Sequence, residues 1–176
     1  MEATSVRMLD AAVEAAALAL FDSLGIPLES EASVGRSDDN IGASIGFTSP
    51  KLKGALVLIS TRALVARALP SEVREGASEE QISDWMGELA NQLLGRIKNK
   101  LLALGVALEM STPTVIWGLE LASKDTRSRL RRRFAFRHGG QPLSVFVDAV
   151  SAPDFEFTVS EAAQGPGIAE GELTLF

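Results

Sequence analysis

"SEEQISDWMGELANQLLGRIKNKLLALG", residues 78–105, is the stretch whose reading decides the fold. Its opening, Ser78-Glu79-Glu80-Gln81, has the spacing of a capping box, in which a serine and a glutamine side chain each accept from a free backbone N–H. Gly105 stops it, with Lys98 and Lys100 near the negative end of the helix dipole. Between those ends Ile82, Met86, Leu89, Leu93, Ile97, Leu101 and Leu104 recur at helical spacing. The pattern predicts one long helix with that stripe against a sheet. Gln81, Asp84, Glu88, Asn91, Gln92, Gly95 and Asn99 fall on the opposite side.

Outward from this helix, residues 5–24 place Val6, Leu9, Val13, Ala16, Leu20 and Leu24 on one stripe before the stop signals Gly25 and Pro27. A second amphipathic helix is expected there. Residues 28–60 switch to period two, with Asp38, Asp39 and Asn40 as turn residues and "GALVLIS" (54–60) as a continuous apolar run. That reads as two exposed strands and one buried strand. "TRALVARALP" (61–70) predicts a short helix ended by Pro70, and 71–76 a polar linker. Beyond the long helix, "VALEM" (106–110), "TVIWGLEL" (114–121), "RLRRRFAFR" (129–137), "PLSVFVDAV" (142–150) and "FEFTV" (155–159) read as strands, with a turn at Gly139-Gly140. The expected class is α+β, an antiparallel sheet covered on one face by two long helices. Residues 1–160 form one domain on this reading. Residues 161–176, rich in glycine, are a flexible tail or add an edge strand "ELTLF".

The chain has 176 residues, 46% of them apolar, enough to bury a core without a disulfide or metal staple. The absence of cysteine excludes thiol nucleophiles and thiolate metal sites, and the single histidine, His138, cannot build a zinc cluster alone. No run approaches the roughly 20 apolar residues of a membrane span, and no signal-peptide layout opens the chain, so a cytoplasmic protein is expected. A net charge of −6 disfavours general nucleic-acid binding. Seven of the 17 Lys and Arg residues nevertheless fall between Lys124 and Arg137. A solvated, charge-protected edge strand accounts best for them. An acidic receiver, a membrane surface or nucleic acid are the other partners such a strand would fit.

Glu88 and Asn91 are three apart and therefore neighbours on the helix surface. A Glu-x-x-Asn pair arises by chance about once in several hundred positions, so a solvated face competes with a functional one. Two details favour function. Asn91 and Gly95 are poor mid-helix residues, the glycine costing about 1 kcal/mol relative to alanine, and Gly95 leaves room for another backbone one turn after Asn91. Trp85 and Trp117 read as packing residues, and His138 as a turn residue.

Asp84-x-x-x-Glu88-x-x-Asn91, followed by Gly95 and then by Pro113 at the start of a strand in "TPTVIWG" (112–118), resembles the chemotaxis phosphatase family of CheC, CheX and FliY. The similarity runs from about Gly54 to Gly118, with the Asn91-to-Pro113 spacing one residue short. In the first helix Glu14 is followed three residues on by Ala17, with no asparagine, so the single motif is CheX-like rather than CheC-like. The resemblance implies an enzyme that hydrolyses the aspartyl phosphate of a CheY-like response regulator. Asn91 would orient the attacking water and Glu88 would pair with the regulator's lysine. Asp84, Gln92 and Gly95 would contact the partner. The resemblance further implies a homodimer with no cofactor of its own, Mg²⁺ residing on the regulator. The alternative is a non-catalytic module on the same fold that docks a receiver or a signalling complex. A weaker third reading is a nucleic-acid adaptor using the basic strand.

Overall fold

The computed structural model describes residues 3–33, 35, 39–118 and 130–157. Helices are α1 (Ala3–Ser23), α2 (Arg62–Ala68), α3 (Ser71–Arg74) and α4 (Glu79–Leu102). Strands are β1 (Glu29–Glu31), β2 (Asn40–Thr48), β3 (Leu52–Thr61), β4 (Glu109–Met110), β5 (Thr114–Gly118), β6 (Leu130–His138) and β7 (Gln141–Ser151). The seven strands make one antiparallel sheet in the order β1-β6-β7-β3-β2, with β4 and β5 sharing the far side of β2. The fold class is therefore as expected, and α1 and α4 pack together.

Alternation fixes which face meets the helices. Ile41, Ala43, Ile45 and Phe47 of β2 lie opposite Ser60, Leu58, Leu56 and Gly54 of β3, and these pair onward with Leu143, Val145, Val147 and Ala149 of β7. Apart from Gly54, all of these are buried. The helical stripes close on them: Leu9, Val13, Ala16 and Leu20 from α1, and Ile82, Met86, Leu89, Leu93, Ile97 and Leu101 from α4. Each buried leucine or isoleucine contributes about 1.5–3 kcal/mol, so this one interface dominates the stability. Gly54 is required in it, because a Cβ there would lie 2.9 Å from the Phe47 ring and 2.1 Å from the Asp148 carbonyl oxygen.

Both long helices end alike. Gly25 and Gly105 take φ values of 71° and 78°. The next N–H, from Ile26 or Val106, donates at 2.9 Å to the Phe21 or Leu101 carbonyl. Ile26 and Val106 then insert into the core, the hydrophobic contact that accompanies this stop. The β6–β7 hairpin turns on Gly139 and Gly140, both at positive φ as a two-residue turn of this hand requires.

Several expectations change. Asn40 is no turn residue but the first residue of β2, buried between Thr61 and Gly118; Asp38 lies outside the described residues. The turn falls instead at residues 49–51, where the Ser49 hydroxyl donates to the Leu52 carbonyl and also accepts from the Leu52 N–H. β2 is accordingly an interior, buried strand rather than an exposed one, because β4 and β5 return to cover its other edge. The linker at 71–76 holds a helical turn, α3. In "VALEM" only Glu109 and Met110 pair, while Val106 and Leu108 are drawn into the core. Phe155 and Phe157 form no strand; their rings meet edge to face at 5.0 Å, and the Phe157 N–H donates to Ser5 of α1. Residues 158–176, including "ELTLF", lie outside the described residues.

Candidate functional site

α4 is the mount. Ser78 caps its first turn: its hydroxyl accepts from the Gln81 N–H while the Gln81 side chain accepts from the Ser78 N–H. Along the buried side the helix lies against the sheet, so the opposite row keeps a fixed orientation. Asp84, Glu88 and Asn91 are exposed on that row, with Gln92 and Gly95 half-buried beside them. The five candidates thus share one surface spanning about three turns.

Within the row the side chains are unequally committed. The Gln92 amide donates to Glu88 Oε1 at 2.8 Å, an i,i+4 bond that ties the carboxylate to its neighbour one turn on. The Asn91 side chain makes no hydrogen bond to any described residue. Its carboxamide therefore keeps two donors and an acceptor for something outside this chain. Gln92 was expected at the partner surface, and its bond to Glu88 is a contact within the site that the i,i+4 spacing could have signalled.

Two glycines shape the approach. Gly87, just before Glu88, is buried, and a Cβ there would lie 3.6 Å from Pro113 Cγ and 3.4 Å from Val115 Cγ2. Pro113, immediately before β5, thus braces the helix at the site, and the strand begins one residue after it. A Cβ at Gly95 would meet nothing within 4 Å, so the space above it is open.

At the head of α4, Arg62 forms ion pairs with Glu79 and Asp39 and stacks its guanidinium 5.0 Å from the Trp117 ring. Trp117, expected to pack, is instead 38% exposed and meets Arg62 outside the core. Trp85 packs against the core with its indole nitrogen buried. His138 ends β6, and its Nδ1–H donates to the Pro27 carbonyl at 2.7 Å, tying the hairpin to the loop after α1. In α1, Glu14 accepts from the Ser30 hydroxyl, and Ala17 is fully buried, so the position three after Glu14 faces the core. No second carboxylate–carboxamide pair forms on that helix.

The basic segment is largely neutralised where it is described. Arg132, on the helix side of the sheet, makes a bidentate pair with Asp10 of α1, whose hydrogen bonds raise the arginine pKa. Arg137 pairs with Glu31, which likewise raises its pKa. Arg131 lies 3.5 Å from Asp148, and Arg131 and Arg133 each stack 5.6 Å from Phe146. β1 pairs with the Ala135–Arg137 end of β6 only and does not reach Arg131, Arg132 or Arg133. Lys124, Arg127 and Arg129 lie outside the described residues. Among the described residues no three carboxylate or imidazole groups converge to hold a metal ion. No helix among them is long and apolar enough to cross a membrane.

Comparison with curated proteins gives no significant sequence match. Solved structures match in fold. The chemotaxis protein CheX from Vibrio vulnificus superposes with a TM-score of 0.72 at 16% identity, over 81% of this chain and 96% of that one. CheX from Desulfovibrio desulfuricans gives 0.65 at 18% identity, over 81% and 99%. A complex of CheX, CheY, BeF3 and Mg²⁺ from Borrelia burgdorferi gives 0.58 at 14% identity, over 82% and 97%. The family model for the chemotaxis phosphatase CheX matches residues 41–136, which hold β2 through most of β6 and the whole of α4. The chain belongs to the CheX family of chemotaxis phosphatases.

Proposed function

We propose that this phosphatase hydrolyses the aspartyl phosphate of a CheY-like receiver domain, with Asn91 orienting the attacking water and Glu88 docking on the receiver's lysine. The observation that carries this reading is the uncommitted Asn91 carboxamide on a rigid helix, one turn from a carboxylate already held by Gln92. The CheX chain seen with CheY, BeF3 and Mg²⁺ supports the choice of partner.

The chemistry needs little from this chain. An acyl phosphate is a mixed anhydride and already activated, and phosphoryl transfer gains mostly from positioning and charge stabilisation. Water attacks phosphorus in line, the bond from phosphorus to the aspartyl oxygen breaks, the aspartate leaves as a carboxylate, and both protons of the water stay with the released inorganic phosphate. The carboxamide oxygen accepts a hydrogen bond from the water and the amide N–H donates toward phosphate, without the negative charge that would repel it. The receiver supplies the metal and the lysine. Asp84 adds a second negative charge one turn before Glu88, Gln92 fixes Glu88, and Gly95 lets the receiver's backbone come close.

The test is phosphate release from receiver domains charged with acetyl phosphate. With Asn91→Ala the acceleration is expected to fall at least a hundredfold while receiver binding stays within about twofold, the size typical of losing one oriented transition-state contact. Glu88→Gln is expected instead to raise the half-saturating receiver concentration. Binding without acceleration by the native chain would overturn the phosphatase mechanism and leave a docking module.

A further inference from the structure

The row that carries Asn91 does not end at Gly95. At 100° per residue, Asp84, Gly95 and Leu102 all fall within about 40° of Asn91. Leu102 is 56% exposed, the highest value for a large apolar side chain among the described residues, while its neighbour Leu101 is 1% exposed in the core. Leu102 is neither in the core nor among the described side chains that pack on it. Lysine, glutamate or alanine would serve a solvated last turn equally well.

We infer that Leu102 is an apolar anchor for the receiver domain. This rests on the function proposed above. A receiver seated on Asn91 must lie over this row. A stable interface covers about 800 Å² per partner, a patch roughly 30 Å across. Leu102 is eleven residues beyond Asn91, about 16 Å along the axis, so such a patch placed over Asn91 and Gly95 contains it. Gly95, between the two, offers open space where a Cβ would stand, which lets the receiver approach closely enough to reach both ends. The row also changes chemistry along its length, from Asp84 and Glu88 through Asn91 to Lys98 and Leu102. The first half suits a lysine-bearing active site. The second presents one large apolar side chain, Leu102, to whatever lies over it.

Binding of receiver domains charged with beryllofluoride and Mg²⁺ tests this with the full chain, beside turnover of the same receivers charged with acetyl phosphate. Leu102→Gln keeps helix propensity and is expected to raise the dissociation constant and the half-saturating concentration about tenfold, with the maximal rate unchanged. Leu102→Met is expected to restore native values. Unchanged binding in Leu102→Gln overturns the inference and leaves the proposed function standing. A drop in melting temperature of several degrees, or a shift in oligomeric state by light scattering, overturns it in favour of cover by this chain's own tail or by a second copy. Binding without acceleration sinks only the catalytic reading. If the native chain binds no charged receiver, both fall.

Discussion

Asn91 and Gly95 are the two residues on α4 that a solvated helix has least reason to keep. Asparagine competes with its own backbone for hydrogen bonds, and glycine loses more conformational entropy on becoming helical than any other residue. Because nothing lies within 4 Å of a Cβ at Gly95, Gly95→Ala meets no steric penalty inside this chain. The substitution is expected to add about 1 kcal/mol, a rise of about 2–4 °C in melting temperature for a domain of this size. The same methyl group stands where the receiver must approach. Affinity for the charged receiver is expected to fall as stability rises, a pair of readouts that thermal melts and binding titrations separate. If affinity holds while stability rises, Gly95 is outside the docking surface.

At the scale of elements, α4 works because its two ends are fixed and its middle is braced. Ser78→Ala removes one half of the capping box and is expected to cost about 1 kcal/mol, lowering the melting temperature by about 2–4 °C. Its effect on maximal turnover should be small, since Asn91 lies more than three turns away. Gly87 is the opposite case. Its neighbours Pro113 and Val115 leave room for a Cβ at ordinary contact distance but for nothing larger. Gly87→Leu is therefore expected to push β5 from the helix and disturb Glu88. Steady-state turnover should drop severalfold where Gly87→Ala leaves it near native.

Across the whole molecule, ion pairs join distant parts of the chain to the core. Arg132 links β6 to α1 through Asp10, Arg137 links β6 to β1 through Glu31, and Lys51 links the β2–β3 turn to Asp154 beyond β7. The hydrogen bond from Lys51 is the main cause that holds Asp154 below its ordinary value of 3.8, with its own backbone N–H next. A depressed carboxylate pKa stabilises the fold above the ordinary value and loses that contribution as pH falls through the lowered one. The melting temperature of Asp154→Asn should therefore lie slightly below native at neutral pH, and the gap should close below about pH 4. A gap that is constant with pH would assign the difference to something other than this ion pair.

The sequence by itself determined the elements whose signals are local. The capping box, the two glycine stops and the Gly139-Gly140 turn are each set by neighbours within a few residues, and the stripes of α1 and α4 by one period. It also supplied Glu88, Asn91 and Gly95 as one row, because a helix converts spacing directly into a surface. What it could not decide were the contacts between segments far apart in the chain. Asn40 reads as a turn residue until β3 and β5 are seen to flank it, and β2 reads as exposed until residues 109–118 return along its edge. The arginines of β6 read as a free basic strand until Asp10, Glu31 and Asp148, at separations no period encodes, are placed beside them. Burial and charge pairing depend on which segments meet. Only the tertiary structure fixes that, because the free energy of bringing them together belongs to the whole core and not to any one stretch of chain.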